Sequence, residues 1–250
     1  MIHFFEATVF VVYSFLAPII TAGGGMLVSN ALHIGLPDID LVKATGLTSS
    51  YFLVNSIIVI SIFRRDIVWR EVVNILPATI VGAFIGATIL VNIGSIYLLI
   101  FMFGFSIYFI YKKVKITGTT AVRKDSALRE KFIGFLGGAI TGSALPGGGF
   151  LNSYFGSKGF TLQQMFGTLN MTLIFVWIVK VSVMVNAGIL VPTDFIGVLI
   201  AFPFLIGSNY LLRHGLIKLS KSVTDTITIL AMSLFSLYAL SAIITQWHIG

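Results

Sequence analysis

Two long stretches of this chain carry no Asp, Glu, Lys or Arg: Ala7 to Pro37, and Val72 to Tyr111. A helix crosses a bilayer with roughly 20 apolar residues, so the second stretch alone is long enough for two crossings. Soluble domains average about 25% charged residues. This chain has 10%, against 57% hydrophobic. The bilayer is therefore its solvent, and the sequence predicts an all-α polytopic membrane protein. The first segment has neither a basic lead-in nor a small-residue cleavage site, so it reads as a retained span. The net charge of +7 comes from basic residues gathered in short loops, the positive-inside pattern, and not from a nucleic-acid-binding face. Having no cysteine, the chain has no disulfide, thiolate metal site or thiol redox chemistry.

Apolar periodicity and length predict spans at about 3–22, 42–63, 72–91, 95–111, 132–145, 162–185, 195–212 and 223–246. Two short apolar pieces, Met26 to Leu32 and Phe150 to Phe155, are left over. One polar linker, residues 112–131, divides the chain into a first membrane repeat (1–111) and a second (132–250). The halves superpose in sequence: Ile20-Thr21-Ala22-Gly23-Gly24-Gly25-Met26-Leu27 lies over Ala144-Leu145-Pro146-Gly147-Gly148-Gly149-Phe150-Leu151, and Gly35 over Gly159. Ala44-Thr45 faces Gly167-Thr168 with one gap, and Pro77 and Gly82 find counterparts in Pro203 and Gly207. This is an internal duplication.

The basic loops fix the orientation. Arg64, Arg65 and Arg70, the linker, and Arg213, Lys218 and Lys221 all belong on the cytoplasmic side. Eight simple crossings cannot achieve that. If each repeat instead opens with a helix that enters, breaks at its triple glycine and returns through the short piece, all the basic loops fall inside and both termini outside. The expected fold is two inverted repeats, each a glycine-broken re-entrant pair followed by three transmembrane helices.

Three consecutive glycines in an apolar stretch carry a large ordering entropy and free backbone groups that hydrocarbon cannot satisfy. Half-helices starting after Gly23-Gly24-Gly25 and Gly147-Gly148-Gly149 would turn unpaired N–H groups and positive dipole ends toward the midplane, which suits an anion. Ser29, Asn30, Asn152 and Ser153 on the returning pieces, with Thr45, Thr48, Thr168, Asn170 and Thr172 on the following spans, could complete its shell. Such hydroxyls also bond their own helix or a neighbour. Gly82 and Gly86, and Gly134, Gly138 and Gly142, have the spacing of helix-packing glycines. Lys180 is the one basic residue clearly inside a span. It reads either as an anion or proton relay or, lying toward the span's outer end, as a snorkelling lysine. His3, Glu6 and His248 are expected at the interface and His33 on a wet rim. No carboxylate is expected inside a span.

At the triple glycines, at Gly35-Leu36-Pro37, at Ala44-Thr45-Gly46-Leu47 and at Arg64-Arg65-Asp66 with Trp69, the sequence resembles the TauE/SafE family of sulfite exporters, over nearly the whole chain. It departs at Thr21 and Leu145, where the pattern has a leading glycine, and at Gly46, where it has serine. The resemblance implies a bacterial cytoplasmic-membrane transporter of small sulfur-containing anions such as sulfite, thiosulfate or sulfoacetate, proton-coupled and without a cofactor. An intramembrane enzyme would need paired carboxylates, a histidine cluster or a serine dyad that the spans do not supply. A passive anion channel with two positive helix ends at its constriction, and a non-transporting scaffold subunit, remain as alternatives.

Overall fold

The computed structural model describes residues 2–16, 24–36, 38–115, 126–144, 147–214, 226, 229–230, 233–234 and 236–244. In chain order the helices are α1 (Ile2–Leu16), α2 (Gly24–Gly35), α3 (Leu41–Phe63), α4 (Trp69–Asn92), α5 (Ser95–Lys115), α6 (Ala127–Ala144), α7 (Gly147–Ser157), α8 (Leu162–Asn186) and α9 (Ile196–Arg213), with a 3-10 turn at Pro192–Phe195 ahead of α9. Residues 236–244 are also helical. Among the described residues, four helical stretches are long and apolar enough to cross a membrane: Leu41–Phe63, Trp69–Asn92, Leu162–Asn186 and Pro192–Leu211. The leftover pieces of the sequence are the two short helices, α2 and α7. Both start inside their glycine triplets and not after them, so the glycines form the first turn of each helix.

Local signals explain several boundaries. Asp40 caps α3 by accepting from the Lys43 N–H at 2.6 Å. Thr161 and Gln164 form a reciprocal capping box at the start of α8, at 3.2 and 3.1 Å. The Asp194 carboxylate accepts from the Val191 N–H at 2.8 Å and fixes the turn into α9. Gly188, at φ +72°, closes the end of α8 in a backbone region that disfavours side chains.

Helices α3 and α8 cross at the centre and run antiparallel: Gly167 sits against Phe63, and Gly46 against Met184. Thr168 Oγ1 accepts from the Val68 N–H at 3.0 Å just beyond the end of α3. Helices α4 and α6 run parallel and interlock through small residues. Gly134 lies on Ile75, Gly138 on Thr79, Gly142 on Ala83, Gly82 on Phe135 and Gly86 on Ala139, and a Cβ on any of these glycines would come within 3.0 Å of the facing backbone. These are the glycines that the spacing by four had marked for packing. Helix α9 occupies the corresponding place beside α1, with Gly197 against Glu6 and Ala7.

Each short helix folds back along the helix before it. Gly35, ending α2, lies on the Phe5 ring near the start of α1. Leu151 of α7 lies on Gly137 of α6, and Lys158, after α7, reaches Glu130 at the start of α6. Large apolar side chains cover the outside, among them Val81, Phe84, Ile89, Phe101, Leu199 and Phe204. Trp69, Tyr111 and Tyr210 are exposed on the helix turns next to the basic loops, as an aromatic interface belt requires.

The α4–α6 seam generates a stability prediction. Gly138→Ala should destabilise the protein by about 1–3 kcal/mol, because the new methyl meets backbone that has nowhere to move. Gly207→Ala, where nothing lies within 4 Å of the new Cβ, should be neutral or slightly stabilising. Thermal unfolding in detergent of the two variants separates these outcomes, and equal shifts would refute the seam.

Candidate functional site

The triple glycines open α2 and α7, so the N–H groups of the first turn of each short helix have no partner within their own helix. Gly23, and the Leu145-Pro146 step before Gly147, lie outside the described residues. Ser29 and Asn30 are buried on α2. On α7, Asn152 is half-buried and Ser153 exposed. Ser153 donates back to the Gly149 carbonyl at 2.9 Å.

Thr45 and Thr48 on α3, and Thr168 and Thr172 on α8, are fully buried. Thr45, Thr48 and Thr172 donate to carbonyls one turn back, of Leu41, Ala44 and Thr168, at 2.7, 2.8 and 2.9 Å. The matched threonines do not meet. Thr45 lies in the second turn of α3, whereas Thr168 lies beyond its far end, about 27 Å away along the axis at 1.5 Å per residue. Asn170 accepts from the Ser56 hydroxyl at 3.1 Å and donates to Phe166 O at 3.0 Å, so it ties α8 to the later part of α3.

The centre is instead occupied by residues that the spacing did not single out. Phe10 and Tyr13 of α1 pack on Tyr51 of α3, with ring centroids 4.8 and 5.8 Å apart. Phe52 stacks on Trp177 of α8 at 5.4 Å. Ser14, in the last turns of α1, is 2.9 Å from the Tyr51 hydroxyl. The sequence signal for this group was weak, since aromatics in an apolar helix look like ordinary packing.

Lys180 belongs to the same layer. The antiparallel register puts it level with Ser50 and Tyr51, about ten residues inside α3 and not at the rim. Its side chain is fully buried, and Nζ donates to the Thr141 carbonyl, in the last turn of α6, at 3.3 Å. The snorkelling alternative therefore gives way, because the side chain turns into the bundle.

Carboxylates are also more embedded than expected. Glu6, expected at the interface, is 1% exposed; it lies against Gly197 and pairs with His3 at 3.1 Å. Glu130 is buried too, because α6 starts at Ala127, well before the predicted span. The offset that carries Gly23 onto Gly147 also carries Glu6 onto Glu130, so the duplication extends to these acids. Lys158 donates to Glu130 at 2.5 Å and lies 3.3 Å from Glu71, and Asn74 donates to Glu130 at 3.3 Å. At the opposite end Lys43 pairs with Asp194 at 3.1 Å, and His33 lies 2.7 Å from the Ile39 carbonyl. Among the described residues no cluster of three or more His, Cys, Asp or Glu side chains is gathered for a metal.

The apolar helices and the aliphatic exterior define an integral membrane protein of all-helical fold. The family model for the sulfite exporter TauE/SafE matches residues 7–243. The chain belongs to the TauE/SafE family of membrane transporters. Comparison with curated proteins and with solved structures gives no significant match.

Burial works against the charge of Lys158, but its hydrogen bond to Glu130, with help from Tyr154 and Glu71, outweighs this and holds the ammonium above the ordinary lysine range. A raised lysine contributes its stability in full below the unfolded value of 10.5 and loses it only as pH climbs through the higher folded value. Lys158→Met, which leaves Glu71 and Glu130 facing each other without a cation, should cost about 2–4 kcal/mol at pH 7. In thermal melts the wild type should hold this contribution constant from pH 7 to 9. Melting of the variant unchanged from wild type would show that the pairs contribute nothing.

Proposed function

We propose that this chain is a secondary transporter that carries a small sulfur-containing anion, such as sulfite, thiosulfate or sulfoacetate, across the bacterial cytoplasmic membrane, coupled to the proton gradient. The observation that carries this reading is the fold-back of α2 on α1 and of α7 on α6, each starting in a triple glycine. The first pair has its open base beside Phe5 and Gly35, the second beside Glu130 and Lys158. Those bases belong to opposite ends of the antiparallel α3–α8 pair. This supports two inverted repeats with re-entrant hairpins entering from opposite faces, residues 1–111 and 132–250, joined by a cytoplasmic linker at 112–131.

Backbone irregularity at membrane depth is tolerated only where protein or a watery cavity covers it. The first-turn N–H groups at Gly24-Gly25 and Gly147-Gly148-Gly149 are then the natural anion donors. Asn30 and Asn152 adjoin them, and Thr48 and Thr172 lie one turn deeper than Thr45 and Thr168. The last two, at opposite ends of the bundle, fall outside a single central site. Fixed N–H donors in a dry site favour a compact oxyanion without any covalent step, so the reading is a carrier and not an enzyme.

Uptake of radiolabelled sulfite, thiosulfate and sulfoacetate into proteoliposomes under an imposed pH gradient tests it. Saturable accumulation is expected, reduced at least tenfold by Gly24→Ala and by Gly148→Ala. Flux that equilibrates but never accumulates would identify a channel. Transport indifferent to both replacements would remove the glycine breaks from the site.

A further inference from the structure

We infer that Lys180 is the coupling residue of this transporter, taking up a proton as the anion binds beside it and releasing that proton as the anion leaves. The inference rests on the anion-transport reading and adds to it the carrier of the proton.

The argument starts from what surrounds the amine. Lys180 is fully buried among the helices, level with the aromatic layer of Tyr51, Phe52 and Trp177. Its one hydrogen-bond partner among the described residues is a neutral carbonyl, Thr141 O, at 3.3 Å. None of the described carboxylates comes within the 4.0 Å of an ion pair, although every other buried or half-buried lysine described, Lys43 and Lys158, has found one.

The elements packed on α8 supply no alternative partner. On α3, Lys43 is engaged with Asp194 near the helix start, and the Tyr51 hydroxyl is on Ser14. On α4, Arg70 and Glu71 sit in the first turn. On α6, Arg129, Glu130 and Lys131 sit in the first turns, with Glu130 about 16 Å below Thr141 along the helix. On α7, Tyr154 lies under Lys158, which is held by Glu130 and Glu71. Helix α8 has no second titratable side chain.

An ammonium buried without a counter-charge is strongly disfavoured, and lysine responds to burial by losing its proton. The empty site therefore holds the neutral amine, whose N–H satisfies a last-turn carbonyl of α6. An anion arriving beside the last turn of α6, at Thr141, supplies the missing counter-charge. The amine lone pair then accepts one proton and the ammonium–anion pair forms. No bond to the anion is made, and departure of the anion returns the proton. Proton and anion thus move together, in the same direction and in equal number.

The test is calorimetric titration of the purified, full-length protein with sodium thiosulfate, which stays fully ionised from pH 6 to 8 and carries no proton of its own. Repeating it in buffers of different ionisation enthalpy counts the protons taken up. The wild type should absorb about one proton per thiosulfate, with affinity falling about tenfold per pH unit. Lys180→Arg, permanently charged, should bind with no proton uptake, and Lys180→Met should bind at least tenfold more weakly, also with none. Size-exclusion profiles matching wild type establish that the variants are folded. Proton uptake of about one that persists in Lys180→Met, or wild-type binding with no proton uptake, would overturn the inference and leave the anion-transport reading standing. Wild-type protein that binds neither thiosulfate, sulfite nor sulfoacetate would overturn both.

Discussion

A helix that stops at membrane depth exposes its last four carbonyls and its first four N–H groups to a medium with no hydrogen bonds to offer. On the re-entrant reading proposed above, the structure must manage those groups at two points in the chain. On the carbonyl side, Lys180 donates to Thr141 O, one of the last four carbonyls of α6. The N–H side lies in first turns opened by glycine, at Gly24-Gly25 and at Gly147-Gly148-Gly149. The positive dipole ends of α2 and α7 favour a negative ligand over a positive one.

Such a break holds its shape only if the half-helices are anchored along their length. For α6 the anchor is the seam with α4, where five glycines let backbone lie on backbone. Contact of that kind replaces the hydrophobic drive that is absent when the surrounding lipid is as apolar as the side chains. At its base, Lys158 ties the turn after α7 to both α6 and α4. On the α1 side the contacts are different in kind: one glycine, Gly197, on Glu6, a His3–Glu6 pair, and aromatic stacking of Phe10 and Tyr13 on Tyr51. The α6–α7 pair is fastened chiefly by backbone packing and charge, and the α1 side chiefly by aromatic stacking.

Much of this was legible in the sequence because it follows from spacing. Charge-free runs marked apolar helices such as α4, the triple glycines marked the openings of α2 and α7 to within a turn, and glycines four apart marked the α4–α6 seam. The embedded acids were not legible, because Glu6 and Glu130 look terminal until the helices are seen to start at Ile2 and Ala127. The threonines misled for a related reason. Thr45 and Thr168 match in sequence, but each lies near the start of its helix and α3 and α8 run antiparallel, which puts them at opposite ends of the pair. Tyr51 and Trp177 went unmarked because an aromatic in an apolar helix has no spacing signature; only the crossing of α3 and α8 gives them a central place.

Duplication makes two similar half-sites, and one anion needs them to be unequal if binding is to be coupled to anything. Lys180 supplies the inequality. With the register that aligns Thr45 with Thr168, its counterpart on α3 is Ile57, an exposed apolar residue. Among the described residues, an amine therefore lies beside the end of α6, and the hydroxyls of Ser14 and Tyr51 lie beside the end of α1. On the coupling proposed for Lys180, an anion between them is drawn toward the α6–α7 side when the amine is protonated and loses that bias when it is not. Protonation of a single amine can then change both the affinity and the position of the ligand, which a symmetric pair of helix ends cannot do.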